Sequence, residues 1–252
     1  MRIAVAGGTG TIGAHVVDVL RERGHDPVVL ARSTGVDLVT GEGVAAALDG
    51  VDAVIDVVST QTQKEQAAVA FFDATTRNLL DAATASGVKH YLLLGIVGSQ
   101  KSRYGYYLGK MAQERLVHAG AVPWTEVRAT QFHEFSQQIY GVARIGPIVL
   151  APIGRVQPIA AREVAEHLVD LAEGAPSGLV AELAGPREEN LARMVRAAAR
   201  ATGKRAPILA VPAPGPAGTA MRNGTLLPDP TLNPPAQLGR QTFDEWLTTL
   251  RE

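Results

Sequence analysis

Tyr106 and Lys110 stand four residues apart in a stretch, 104–118, whose pattern predicts a helix, so their side chains share one face. An ammonium near a phenol favours phenolate. Lys110 is therefore expected to lower the pKa of Tyr106 and make it a better proton donor to a reacting carbonyl oxygen. A second group with chemical meaning opens the chain. Gly7-Gly8-Thr9-Gly10-Thr11-Ile12-Gly13 contains both Gly8-x-Gly10-x-x-Gly13 and Gly7-x-x-Gly10-x-x-Gly13. Glycine at three such places lets a chain turn sharply, admits a pyrophosphate where a Cβ would block it, and lets a helix pack close to a strand.

Those groups need particular elements around them. Arg2-Ile3-Ala4-Val5-Ala6 is a short apolar run before the glycines, and residues 14–21 read as a helix after them. Strand, glycine turn and helix in that order open a dinucleotide-binding βαβ unit, with unpaired N–H groups and the positive helix end facing the phosphates. Gly7, Thr9, Gly10, Thr11, Ile12 and Gly13 are the expected contacts. The helix should stop near Arg23, with Gly24 as its terminator, and residues 27–31 form an apolar second strand. After that strand come Arg32-Ser33-Thr34, with no carboxylate until Asp37. A carboxylate there would hold a ribose 2′-OH, whereas a cation suits a 2′-phosphate. NADP(H) is therefore preferred, with NAD(H) open if Arg32 is only a solvated surface charge. Arg32, Ser33 and Asp37 join the expected cofactor residues.

Further along, 36–39 reads as a short third strand, 42–48 as a short helix and 53–58 as the next strand. Asp56 within it would need partners if buried. It is placed near the strand's C-terminal end, with Val58 and Ser59 bordering the cofactor. Residues 64–86 read as a long helix stopped by Gly87; its Phe71 and Phe72 suit core or subunit contact, which leaves a homo-oligomer open. Strands at 89–94 and 124–128 flank the helix that carries Tyr106. The alternation predicts an α/β fold with a doubly wound parallel sheet, its ligand crevice at the strands' C-terminal ends. Beyond Thr130, helices are expected at 161–172, 186–201 and 242–251. Residues 206–235 hold eight of the fifteen prolines and 206–221 carry no charge, which predicts a pocket-covering loop or a linker with no ready place for a helix or central strand.

Composition narrows the partners. Twenty-four basic against 25 acidic residues leave a net charge of −1, and no basic surplus points to nucleic acid. No apolar run is long enough for a bilayer, and the first residues lack a signal peptide's layout, so a cytoplasmic protein with no membrane partner is expected. The chain has no cysteine, which removes thiolate catalysis and disulfides. Its six histidines lack metal-ligand spacing, so no metal is expected. His133 and Glu134 read more readily as a solvated helix start than as pocket residues, and Tyr104 and Tyr107 as packing or rim residues.

The motifs as a set resemble the short-chain dehydrogenase/reductase superfamily in its atypical NmrA-like branch. The resemblance rests on the glycine turn, on Gly50-Val51-Asp52-Ala53-Val54-Ile55, and on Tyr106-Tyr107-Leu108-Gly109-Lys110-Met111-Ala112-Gln113-Glu114. It continues through Trp124-Thr125-Glu126-Val127-Arg128-Ala129-Thr130-Gln131-Phe132 and Ala181-Glu182-Leu183-Ala184-Gly185-Pro186. Residues 206–237 match little. The resemblance implies an NAD(P)-binding Rossmann core over 1–130. It makes 131–252 mostly a small substrate lobe, with some segments returning to the core. It also implies Tyr106 as general acid, Lys110 on the nicotinamide ribose, and the loop from Thr130 beside the nicotinamide. The chain departs from the family pattern at Gly95, where relatives often carry a serine that polarises the substrate oxygen; Ser99 lies four residues on. The serine–tyrosine–lysine set is thus incomplete. The expected activity is NADPH-dependent reduction of a small organic molecule that needs less help at oxygen: a quinone, an enone or another conjugated carbonyl. A non-catalytic NAD(P)-sensing regulator and a non-redox tailoring enzyme on the same fold are the alternatives.

Overall fold

The computed structural model describes residues 1–102 and 104–250. Elements follow the hydrophobic periodicity closely in the first half. Strand β1 (Arg2–Ala6) leads through the glycine turn to helix α1 (Thr11–Glu22), whose Ile12, Val16, Val19 and Leu20 form one buried face. Gly24 ends that helix at φ +77°, a left-handed conformation that costs glycine little. Strand β2 (Asp26–Leu30), helix α2 (Val44–Ala47), strand β3 (Ala53–Asp56), helix α3 (Glu65–Ala85), strand β4 (His90–Ile96), helix α4 (Gly105–Ala119) and strand β5 (Trp124–Ala129) follow. The chain continues through α5 (Phe135–Val142), β6 (Arg144–Ile145), β7 (Ile148–Pro152), β8 (Arg155–Val156), α6 (Ala161–Glu173), β9 (Gly178–Leu179), β10 (Leu183–Ala184) and β11 (Glu189–Asn190). It closes with α7 (Leu191–Ala201), β12 (Ile208–Val211), α8 (Gly215–Arg222), β13 (Gln237–Leu238) and α9 (Phe243–Thr249). No helix among the described residues is long and apolar enough to cross a membrane.

Two compact units emerge. The first holds Met1–Gln100, Tyr104–Arg128 and Arg162–Val180; the second holds residues 101–102, Ala129–Ala161 and residues 181–250. In the first unit the strands run parallel in the order β2-β1-β3-β4-β5, with β9 beside β5. The chain leaves β1 toward β2 on one side and β3 takes the other, so the strand order reverses between β1 and β3, where such folds bind ligands. Its core includes Leu30, Val54, Phe72, Leu79, Tyr91, Leu93 and Val117. In the second unit β12, β7 and β6 form a small sheet beneath α7, and Tyr140, Val149, Leu191, Met194, Val195, Phe243 and Trp246 share a core. Ala129 belongs to this unit and pairs with Leu183.

Several elements differ from the sequence expectation, each for a local reason. No strand forms at 36–39, because the Asp37 carboxylate accepts the N–H groups of Val39 (2.8 Å) and Thr40 (3.3 Å) and rolls the chain into a turn. The helix expected at 42–48 shrinks to Val44–Ala47. Strand β2 is half-buried rather than covered on both faces, since it is the sheet's edge. The strand containing Asp56 ends at that residue, where its carboxylate takes the Val58 N–H at 3.0 Å. The helix expected from 186 starts at Leu191, with Asn190 capping it through the Arg193 N–H. Helix α9 starts after Thr242, which forms a capping box with Glu245; the expected extension to Arg251 lies outside the described residues. The proline-rich stretch is not structureless. Pro207 and Pro212 flank β12, which pairs in parallel with β7, and Pro214 and Pro216 sit at the start of α8, where a missing N–H costs nothing.

Candidate active site

The glycine turn is built as a cradle. Gly7 has φ +81°, and its N–H donates to the Leu30 carbonyl at 3.2 Å. A Cβ on Gly13 would fall 2.1 Å from the Gly7 oxygen and 2.6 Å from Gly8 Cα. Gly10 is the N-cap residue of α1, with no side chain capping the first turn and no acidic residue in it. Gly7 is needed for its positive φ and Gly13 for close approach, and a Cβ on Gly8 would also be tight, 3.0 Å from Val29 Cγ1 and 3.1 Å from the Val5 carbonyl oxygen. The N–H groups around Thr11, Ile12 and Gly13 are left for an anion, as a pyrophosphate requires. A Cβ on Gly7 would also meet the Val57 carbonyl at 3.1 Å, so the cradle lies against the exit of β3, where Val58 and Ser59 stand. These residues fit a dinucleotide.

At the end of β2, Arg32 is exposed and pairs with no carboxylate among the described residues, and Ser33 is exposed beside it. Asp37 is spent on its turn. The end of β2 thus offers a cation and a hydroxyl, the chemistry of a phosphate site.

Helix α4 carries the Tyr106–Lys110 pair. Gly109 lets it close on α3: a Cβ there would lie 2.7 Å from the Phe72 ring. Tyr106 packs edge-on to Phe72 at 5.7 Å and its hydroxyl lies 2.8 Å from Ser59 Oγ. Lys110 is fully buried. Its ammonium donates to the Leu94 carbonyl at 2.9 Å and to Gln113 Oε1, and lies 5.1 Å from the centre of the Phe72 ring. Gln113 in turn donates to Asp56 Oδ2 at 2.8 Å, where the Tyr91 hydroxyl also donates at 2.6 Å. Asp56 thus has the partners its burial demands. Burial lowers the Lys110 pKa, against the pull of Asp56, and burial with Asp56 raises that of Tyr91. The expected depression of Tyr106 by Lys110 does not occur. Burial raises the phenol's pKa, Ser59 partly opposes this through its hydrogen bond, and the ammonium is occupied by Leu94 and Gln113.

Gly95 has a steric cause. A Cβ there would lie 2.8 Å from Arg128 Cγ and 2.9 Å from Glu126 Oε1, within a buried charged cluster. Arg128 bridges Glu126 (2.7 Å) and Glu114 (3.0 Å), and His118 meets Glu126 at 2.6 Å. Ser99 is fully buried and donates to Glu114 at 3.1 Å, so its hydroxyl serves the same cluster. Burial raises the Glu126 pKa, and Glu114 adds to the effect. The alternating charges at 126 and 128 on a central strand were the sequence signal for this cluster; Gln113 and Tyr91 gave none.

Other candidate residues settle elsewhere. In the second unit, the Thr130 hydroxyl donates to the Gln157 carbonyl at 2.6 Å. His133 is fully buried against Phe243 and Trp246, with Nε2 3.2 Å from the Gln241 carbonyl, which replaces the expected solvated helix start by a core position. Tyr104 and Tyr107 pack edge-on at 5.7 Å. An open pocket of about 460 Å³ in this unit is lined by Arg155, Gln157, Asn223, Leu227, Pro228 and Leu238.

A family model described as NAD(P)H-binding matches residues 7–175. The NAD(P)H azoreductase of Xenophilus azovorans is 28% identical over 222 residues, covering 80% of this chain and 74% of that protein. The photosystem II assembly factor Ycf39 of Synechocystis is 32% identical over 112 residues, 38% of this chain, and the aligned part spans about a third of that protein (34%). An NADPH-dependent quinone oxidoreductase from Escherichia coli, QOR2, superposes with a TM-score of 0.69 at 16% identity, over 99% of this chain and 100% of that one. With the glycine cradle, the parallel sheet and the match over two-thirds of its length, the chain belongs to the NAD(P)H-binding family.

Proposed function

We propose that this protein is an NADPH-dependent oxidoreductase that reduces a small conjugated carbonyl compound, a quinone or an enone. The carrying observation is the Tyr106 hydroxyl held against Ser59 at the exit of β3, above a buried Lys110 and beside the glycine cradle. The exposed Arg32 supports the phosphorylated cofactor, and the azoreductase and quinone oxidoreductase relatives support reduction.

In this reading Gly7, Thr9, Gly10, Thr11, Ile12 and Gly13 bind the pyrophosphate, Arg32 and Ser33 the 2′-phosphate, and Val58 and Ser59 border the nicotinamide half. The bound cofactor supplies a hydride. Tyr106 gives a proton to the substrate oxygen, and Lys110 would hold the nicotinamide ribose with a third N–H beyond the two it has committed. A phenol whose pKa is raised by burial is a weaker acid, which suits an acceptor that already delocalises its charge.

The test is NADPH consumption against a panel of ketones, enones and quinones, beside titrations with NADPH and NADH. Turnover of a conjugated acceptor, lost in Tyr106→Phe, is expected. Arg32→Ala should weaken NADPH binding about 10- to 100-fold, the worth of a charge-assisted phosphate contact, and leave NADH unchanged. Tight NADPH binding with no turnover would refute the activity. Product formed from 4-deuterated NADPH without isotope would point to non-redox chemistry.

A further inference from the structure

An oxygen that gains negative charge is stabilised best by two aimed donors, and Tyr106 is one. The hydroxyls around it narrow the choice of the second. Position 95 has no side chain, and a side chain there would point at Arg128 and Glu126. Ser99 donates to Glu114, and Thr75 donates to the Phe71 carbonyl at 3.0 Å. Ser59 remains. It stands on the loop after β3, is exposed, and holds its Oγ 2.8 Å from the Tyr106 hydroxyl. Two hydroxyls at that separation converge on any oxygen placed within hydrogen-bond reach of both.

We infer that Ser59 is a second catalytic residue, donating a hydrogen bond to the same substrate oxygen that Tyr106 protonates. The proposal rests on the reductase reading above and extends it. As the hydride supplied by NADPH reaches the substrate carbon, the carbonyl π pair moves to oxygen and Tyr106 transfers its proton there. Ser59 keeps its own proton and contributes only the hydrogen bond. The hydroxy product and NADP⁺ leave, and water returns a proton to Tyr106. Before substrate arrives, the Ser59 hydroxyl steadies the phenol and opposes the effect of its burial.

The test uses Ser59→Ala and Ser59→Thr in the full chain, with menadione as acceptor. In Ser59→Ala, kcat should fall about 100-fold, the scale of one lost oxyanion donor, with NADPH affinity changed less than about threefold. Ser59→Thr should recover most of the activity. Independently of turnover, the 13Cζ resonance of Tyr106 in cofactor-free protein, assigned by its loss in Tyr106→Phe, should titrate at higher pH in Ser59→Ala. An unmoved titration overturns the proposal. So does unchanged kcat with a tenfold weaker NADPH affinity, which would make Ser59 a cofactor contact alone. An inactive wild type would sink the reductase reading and this proposal together, whereas an active wild type with an unaffected Ser59→Ala would sink only this one.

Discussion

Gln113→Leu is the sharpest probe of the structure beneath the site. Gln113 is fully buried between two charges, accepting from Lys110 and donating to Asp56. Hydrogen bonds to charged groups contribute about 1.5–3 kcal/mol each, so losing both costs roughly 3–6 kcal/mol. Two effects reduce that. Asp56 keeps Tyr91 and the Val58 N–H, and Lys110 keeps the Leu94 carbonyl. The leucine also gains apolar burial of about 1–2 kcal/mol. The net expectation is a loss of about 3 kcal/mol, which for a chain of this length corresponds to a Tm drop of roughly 6–12 °C. Urea unfolding should show an earlier midpoint with an unchanged m-value. Adding Asp56→Asn to Gln113→Leu should cost less than the sum of the two, because one buried charge has gone. A Gln113→Leu protein within about 1 kcal/mol of wild type, with strictly additive costs, would show that the chain from Lys110 to Asp56 carries no energy.

Two further expectations concern shape and charge. Gly13→Ala forces a methyl against the Gly7 carbonyl, so it should cost about 1–3 kcal/mol by overpacking and weaken NADPH binding at least tenfold, read by thermal melts and fluorescence titration. Glu126 has a folded-state pKa raised from its ordinary 4.5, so the unfolded chain releases this proton first and stability falls as pH rises from that value through the folded one. Glu126→Gln, still facing Arg128, Glu114 and His118, removes that decline. The stability difference should move in the variant's favour between about pH 4 and pH 7 in parallel urea melts, and a difference independent of pH would contradict the assignment.

The first 130 residues were largely legible because their parallel strands are continuous apolar runs and their helices end at glycine. Gly24 and Gly87 marked real stops, and Asp56 was readable as a strand-end carboxylate needing partners. The expected strand at 36–39 failed because a single side-chain cap at Asp37 outweighed a short apolar run. In the proline-rich stretch the unexpected element is α8, since proline forbids a helix interior yet suits a helix start; β12 is an edge strand, and residues 223–236 form a loop that lines a pocket. At the site, the four-residue spacing put Tyr106 and Lys110 on one helix. It could not reveal that Gln113, three residues on, claims the ammonium, since that depends on the distant Asp56 and Leu94. His133 was misjudged for the same reason: the rings that enclose it come from a helix more than a hundred residues away.

The void at position 95 is a lock rather than a gap. Its shape is set by Arg128 and Glu126 on the neighbouring strand, so a side chain at 95 displaces one or both of them. An engineer who writes serine there to imitate other reductases would first need a shorter side chain at 128, and trimming that arginine strands two acids in the interior. A hydroxyl delivered from this strand therefore asks for rebuilding on the next one, which puts the simplest repair of the incomplete set out of reach of a single substitution.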